Sequence, residues 1–294
     1  MNYVATVGFF DGVHAGHRFL IEELKALAKA RNLQSLVITF NTHPRKVLNS
    51  DYQPQLLTTL SEKLEQLEST GIDRCVVLDF TPELAQLSAY DFLKTFLKEQ
   101  YHVKTLLVGH DHRFGHNRAD GFAEYKHYCE ILEMEVVQAG RYKTAEDRHV
   151  SSSNIRLAIE QGDIDHANKL LNYPYSFEGK VIDGFKVGRK IGFPTANLQP
   201  LDADKLIPPF GVYAVKVYHN ESLYKGMMNI GTRPTLNNSY HTSLEVHILD
   251  FNQDIYNQII KVEFLSKIRD EQKFNSVDEL IAQLKIDRKV VESI

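Results

Sequence analysis

The apolar positions of this chain follow one rhythm up to about residue 150 and a different one after it. In the first stretch, short apolar runs alternate with amphipathic segments. Val4, Ala5, Thr6 and Val7 predict a strand, and 16–31 predicts a helix with Leu20, Leu24, Leu27 and Ala28 along one face. A second strand is expected over 36–40, then a helix capped by Ser61 and running to Glu68, then a third strand over 74–80. Ser88 and Asp91 have the spacing of a capping box that opens a helix reaching about Tyr101. A strand over 106–108, a helix over 122–132 and a strand over 135–138 complete the alternation. Strands separated by helices specify βαβ crossovers. They predict a parallel, Rossmann-like sheet with ligands at the carboxyl ends of its strands.

After Ser151 the period changes. Two short helical stretches, 151–161 and 163–171, read as a connector, and from Tyr175 onward β-like runs follow over 177–182, 212–218, 224–230, 243–249 and 259–264. Turn residues such as Asp183-Gly184 and His219-Asn220 separate several of them, which predicts an antiparallel barrel or sandwich. A closing helix over 276–289 turns Leu280, Ile281 and Leu284 inward. The change of period, punctuated by Tyr173-Pro174-Tyr175, sets two domains, 1–172 with the connector and 173–294.

Composition supports this division. With 294 residues, 43% of them hydrophobic, the chain has material for two cores. No apolar run has the length of a membrane span, and the first residues lack the pattern of a secretory leader. The net charge, 34 basic minus 38 acidic residues, is −4, so neither nucleic acid nor membrane is an expected partner and an anionic ligand needs a local site. The cysteines, Cys75 and Cys129, form no motif and suit a reducing cytoplasm. Self-association is left open.

The first such site lies between the first strand and the first helix, in Gly8-Phe9-Phe10-Asp11-Gly12-Val13-His14-Ala15-Gly16-His17. Two histidines three apart share one side of a helical turn, glycines permit close backbone approach, and a helix N-terminus offers free N–H groups to an anion. The run resembles the HxGH signature of the nucleotidylyltransferase superfamily. A second run, His149-Val150-Ser151-Ser152-Ser153-Asn154-Ile155-Arg156, is similar to that superfamily's SSTxIR signature, with Ser153 in place of threonine. The resemblance implies that His14 and His17 stabilise the transferred phosphate. It also implies that Gly8, Phe9, Asp11, Gly16, Ser152, Ser153 and Arg156 bind ATP.

Two middle segments resemble elements of bacterial FAD synthetases. Thr39-Phe40-Asn41-Thr42-His43-Pro44 is like T-F-x-P-H-P with Thr42 replacing the first proline. Leu107-Val108-Gly109-His110-Asp111-His112-Arg113-Phe114-Gly115 is like L-V-G-x-D-F-x-F-G with His112 replacing an aromatic residue. In that family these loops wall the flavin pocket, which implies Phe40, Pro44 and Asp111 as flavin contacts. The spacing of His110, His112 and His116 also admits a metal cluster or plain solvated histidines.

In the second half, Gly188-Arg189-Lys190-Ile191-Gly192-Phe193-Pro194-Thr195-Ala196-Asn197-Leu198 is the most specific string. Gly and Pro set a special backbone path, and Thr195 and Asn197 offer oxygen donors of the kind Mg²⁺ prefers. The run is identical to the G-R-x-x-G-F-P-T-A-N-L motif of riboflavin kinases. By that resemblance Gly188, Arg189, Gly192, Thr195 and Asn197 bind ATP, with Thr195 and Asn197 on the metal. Further along, Leu244, Val246 and Ile248 share one strand face, so Glu245 and His247 take the other. A carboxylate on a rigid strand suits a base for an attacking hydroxyl, the role Glu245 holds by resemblance. Residues 263–274 resemble the flap over the flavin, with Arg269 and Phe274 as contacts, while Asn257 departs from a common D-L-Y-G turn.

The resemblance covers nearly the whole chain and is to the bacterial bifunctional riboflavin kinase/FMN adenylyltransferase (FAD synthetase) family. It implies an α/β nucleotidylyltransferase domain followed by an all-β, six-stranded antiparallel barrel with a closing helix. Riboflavin, FMN and ATP would be substrates, FAD the product and Mg²⁺ the cofactor. Two other readings stay open: a kinase whose adenylyltransferase half is impaired, and a flavin-binding regulator without turnover.

Overall fold

The computed structural model describes all residues except 49–54, 111–112, 116–119, 143–149, 185–186 and 235–239. The chain divides into two compact units, Met1–Ser152 and Ser153–Ile294.

The first unit alternates strands and helices: β1 (Tyr3–Val7), α1 (Ala15–Ala30), β2 (Gln34–Phe40), α2 (Pro44–Leu48), α3 (Leu60–Glu68), β3 (Arg74–Leu78), α4 (Pro82–Gln86), α5 (Ala89–Phe92), a π-helical continuation Leu93–Gln100, β4 (Val103–Val108), α6 (Phe122–Ile131) and β5 (Glu135–Gln138). The five strands are parallel in the order β3-β2-β1-β4-β5. Side chains leave a strand alternately to its two faces, and two cores result. Tyr3, Ala5, Val7, Leu36, Ile38 and Phe40 pack with Phe92, Leu97, Tyr125 and Cys129. Val4, Val37 and Leu107 pack with Ile21, Leu24, Ala28 and Leu67 on the opposite side. Strands covered on both faces read as unbroken apolar runs, which is why these were visible in the sequence. The cap of α3 is Thr59, not Ser61. Thr59 Oγ1 accepts from the Glu62 amide (3.3 Å) and Glu62 Oε2 from the Thr59 amide (2.9 Å), while Ser61 lies inside the helix against the Thr59 hydroxyl. Ser88 caps as expected, its Oγ accepting from the Asp91 amide at 3.0 Å.

The second unit opens within α7 (Ser152–Glu160) and continues through α8 (Ile164–Leu171), β6 (Ser176–Ile182), α9 (Val187–Lys190), β7 (Ala196–Pro200), β8 (Gly211–His219), β9 (Ser222–Pro234), β10 (Tyr240–Ile248), β11 (Ile259–Arg269) and α10 (Val277–Ser293). Six antiparallel strands close into a barrel in the order β10-β7-β6-β11-β8-β9. Phe177, Tyr213, Val215, Ile230, Val246, Val262 and Phe264 are fully buried. Helix α8, expected with the first domain, packs on the barrel instead. Asn168 Nδ2 donates to the Phe264 carbonyl (2.9 Å), and its Oδ1 accepts from the Tyr175 amide (2.7 Å). The sixth strand, β7, carries no apolar alternation of its own, because it is short, follows Pro194 closely and ends in Pro200.

Helix α10 is fixed by polar and apolar contacts together. Ile281, Leu284 and Val291 pack with Phe193, Ala214 and Met227. Asp287, fully buried, accepts from Arg269 Nε (3.0 Å), Arg269 Nη2 (2.9 Å) and Gln283 Nε2 (2.8 Å). Removing one partner of such a pair leaves a desolvated charge, at a cost of about 3–5 kcal/mol. Asp287→Ala is therefore expected to lower the melting transition of the second unit in scanning calorimetry and leave that of the first in place. Equal transitions in variant and wild type would show that the pair contributes nothing.

Candidate active sites

In the first unit, β1 stands beside β4 where the strand order reverses, the place where open parallel sheets bind ligands. Beyond Val7 the backbone bends sharply. Phe10 is left-handed (φ 56°), Gly12 follows at φ 78°, and a short 3₁₀ turn, Asp11–Val13, leads to His14, the N-cap of α1. His14 Nδ1 accepts from the His17 amide at 3.3 Å. An accepting ring nitrogen carries no proton, so the proton of a neutral His14 sits on Nε2. The two imidazoles stack, with centroids 3.6 Å apart and planes 14° from parallel. Gly16 makes room for the stack, since a Cβ there would lie 3.3 Å from His14 Cε1 and Nδ1. Two ring N–H donors at a helix N-terminus form a site for a phosphate.

Asp11 sits differently from the contact its motif implied. Its buried carboxylate accepts from the Leu57 amide (3.0 Å) and the Thr58 amide (3.1 Å), so it braces the turn against the segment before α3. Its carbonyl accepts from Ser152 Oγ at 2.9 Å, which joins the two signatures across 141 positions of chain. Ser153 and Arg156 lie in the first turns of α7.

The ends of β1 and β2 are tied together. The Gly8 amide donates to the Ile38 carbonyl (3.0 Å) and Thr39 Oγ1 to the Phe9 carbonyl (3.0 Å). Phe9 meets His43 edge-on at 4.6 Å, and Phe40 meets Phe80 at 5.2 Å. Pro44 begins α2. Sequence reasoning missed Lys63, because a lysine on an amphipathic helix reads as surface. Here it is buried, with Nζ 2.7 Å from the Phe40 carbonyl and 3.9 Å from the Phe9 ring centroid. Burial pushes its ammonium down to about 8, partly offset by the Asp11 carboxylate. Asp111, His112 and His116 lie outside the described residues. Among the described residues, no cluster of three His, Cys, Asp or Glu side chains is placed to hold a metal.

In the barrel, register builds the site. Glu245 stands opposite Asn197 of β7 and opposite Asn229 of β9, so three polar side chains form a row across adjacent strands. Leu244, Val246 and Ile248 are buried in the barrel, which turns the row to its outer face. Thr195 Oγ1 donates to Glu245 Oε2 at 3.3 Å. Asn197 is buried over Gly184, where a Cβ would collide with its amide. Gly188 is required in the same way. A Cβ there would collide with the Phe193 carbonyl oxygen, the Phe193 amide donates back to the Gly188 carbonyl (2.9 Å), and Gly192 takes φ 82°. Arg189 is exposed, with Nη2 3.5 Å from the Tyr256 hydroxyl. The oxygens of Thr195 and Asn197 beside a carboxylate suit a hard divalent cation. Arg269 and Phe274 lie together, with guanidinium carbon and ring centroid 5.8 Å apart, but the Arg269 fork is held by Asp287.

An anion-binding turn on a doubly wound sheet and a hydroxyl–carboxylate site on a closed barrel define a two-unit transferase. Family models agree unit by unit: FAD synthetase matches residues 1–154 and riboflavin kinase matches 171–294. A bifunctional riboflavin kinase/FMN adenylyltransferase of Listeria monocytogenes is 40% identical over 98% of this chain and 90% of its own. The Bacillus subtilis protein of the same name is 38% identical over 97% and 90%. A crystal structure described as a macrolide-efflux protein from Streptococcus pneumoniae superposes with TM-score 0.90, at 34% identity over 100% of this chain and 95% of that one. Among the described residues, no helix is long and apolar enough to cross a membrane. The chain belongs to the bifunctional riboflavin kinase/FMN adenylyltransferase family.

Two outcomes test the first site. Gly16→Ala pushes on the His14 ring and is expected to lower the rate of FMN adenylylation on the order of tenfold, as small misplacements of catalytic groups do, with riboflavin phosphorylation unchanged. An unaffected rate would mean that the stack plays no part. Lys63 has a folded value below its ordinary 10.5. From about pH 8 up to 10.5 the folded protein releases this proton while the unfolded chain keeps it, so stability from this group rises with pH. Melting temperatures of wild type relative to Lys63→Met should therefore shift in favour of wild type from pH 8 to 10. A constant difference contradicts this.

Proposed function

We propose that the two reactions of the family are divided between the two units. The barrel transfers the γ-phosphoryl group of ATP to the ribityl 5′-hydroxyl of riboflavin, giving FMN and ADP. The parallel-sheet unit then lets the FMN phosphate attack the α-phosphate of a second ATP, giving FAD and pyrophosphate. The observation that carries this reading is that each unit holds a cluster of side chains suited to phosphate chemistry. One places His14 and His17 at the N-terminus of α1, and the other places Thr195 and Asn197 around Glu245.

In the barrel, Glu245 orients the hydroxyl and accepts its proton late, since the transition state of phosphoryl transfer is loose. Thr195 and Asn197 would hold Mg²⁺, which when bound neutralises charge on the triphosphate. Gly188 and Gly192 shape the loop, and Arg189 is exposed to meet an anion. In the first unit, the imidazole N–H groups stabilise charge on the phosphate under attack, and the Ser152 end of α7 faces the leaving pyrophosphate. Phe9 and His43, edge-on to each other, offer an aromatic surface suited to an isoalloxazine ring. Cys75 and Cys129, both free and both pushed up to about 11 by burial, are inert thiols that support a cytoplasmic setting. No observation favours the impaired-half or regulator readings.

Glu245→Gln is expected to abolish FMN formation from riboflavin while FAD still forms from supplied FMN. His14→Ala combined with His17→Ala is expected to do the reverse, as read by chromatography of the flavin products. Loss of both steps in either folded variant would refute the division.

A further inference from the structure

His247 is two residues beyond Glu245 on the same face of β10, and the proposed reaction gives it no role. Its ring is buried, and Nδ1 lies 2.7 Å from the Pro194 carbonyl oxygen. A carbonyl only accepts, so Nδ1 carries the proton and donates it. Nε2 is buried with no hydrogen-bond partner. The ring meets Phe193 edge-on at 5.2 Å, and the residue opposite on β9 is Met227. Phe193 and Met227 belong to one apolar cluster with Leu249 and Val291. A phenylalanine would suit such a slot and would leave no nitrogen unsatisfied. What it would lack is the donor to Pro194. Two successive outward positions of β10 thus hold one loop: His247 grips Pro194, and Glu245 accepts from Thr195.

We propose that His247 is a positioning residue of the kinase site, whose Nδ1–H bond to the Pro194 carbonyl holds Thr195, at the end of the loop that enters β7, in the arrangement that binds metal-bound nucleotide. The inference rests on the division of reactions given above. Proline has no N–H to donate, so its carbonyl is the one backbone hydrogen-bonding group that Pro194 offers, just before β7 pairs with β10 at Ala196 and Asn197. Losing the bond frees the carbonyl and lets Thr195 move away from Glu245. The effect falls on nucleotide binding, because the His247 ring is buried and its bond goes to the Pro194 backbone.

The test compares His247→Phe, His247→Asn and His247→Gln in the full chain. The asparagine amide nitrogen stands near the place of Nδ1, whereas the glutamine amide nitrogen stands one carbon farther out. In His247→Phe, the KM for ATP in riboflavin phosphorylation is expected to rise about tenfold, the value of one well-placed hydrogen bond, with kcat within about twofold. The dissociation constant of ADP with Mg²⁺, measured by calorimetry without turnover, should rise in parallel. His247→Asn should restore both values and His247→Gln should not, while conversion of supplied FMN to FAD stays constant throughout. Unchanged ADP affinity in His247→Phe, or equal losses in Phe and Asn variants, overturns the inference. A wild type that makes no FMN from riboflavin overturns instead the reading of the barrel on which it rests.

Discussion

A strand committed to a core on one face has no freedom left on the other, and both sites of this chain exploit that constraint. On β10, burying Leu244, Val246 and Ile248 inside the barrel leaves Glu245 and His247 a single direction to point. On β1, Val4 and Ala5 are buried to opposite sides of the sheet, so the strand ends at a fixed height and its turn begins there. The residues proposed to handle phosphate thus sit on ground that does not yield. That matters in reactions where positioning and electrostatics do most of the catalytic work.

The two units solve the same problem with different backbone. The sheet unit uses a helix N-terminus, reached through left-handed Phe10 and Gly12, and stacks His14 on His17 above it. The barrel builds its site on a loop and not on a helix N-terminus. It uses a loop pinned at Gly188 and Gly192 and laid against β10 through Thr195 and Pro194. In each unit a buried polar residue outside the motif stiffens the arrangement, Lys63 in one and His247 in the other. A buried amine or imidazole carries a desolvation cost, and its hydrogen bond to a backbone carbonyl offsets that cost by fixing a loop.

Arg269 and Asp11 show that a residue of a ligand-binding motif can also brace its own protein. Both belong to strings that resemble ligand-binding elements, yet both side chains bind their own protein. Asp11 takes the Leu57 and Thr58 amides, and Arg269 takes Asp287. These bonds hold the turn after β1 and the end of β11 in place.

The sequence by itself determined the parallel sheet, the change to β-structure after the connector, and the strings that resemble the family's signatures. Periods of two and of 3.6, together with glycine and proline, are local properties that a linear reading detects. It missed β7, whose five residues ending in Pro200 carry no alternation, and it placed the cap of α3 two residues late, because Thr59 and Ser61 are equally good caps until Glu62 chooses between them. Tertiary structure alone decided that Asn197 and Asn229 flank Glu245, that Ser152 reaches Asp11, and that Lys63 and His247 are buried. Those facts depend on strand register and on contacts between distant segments, where the energy of a pairing belongs to two places in the chain at once.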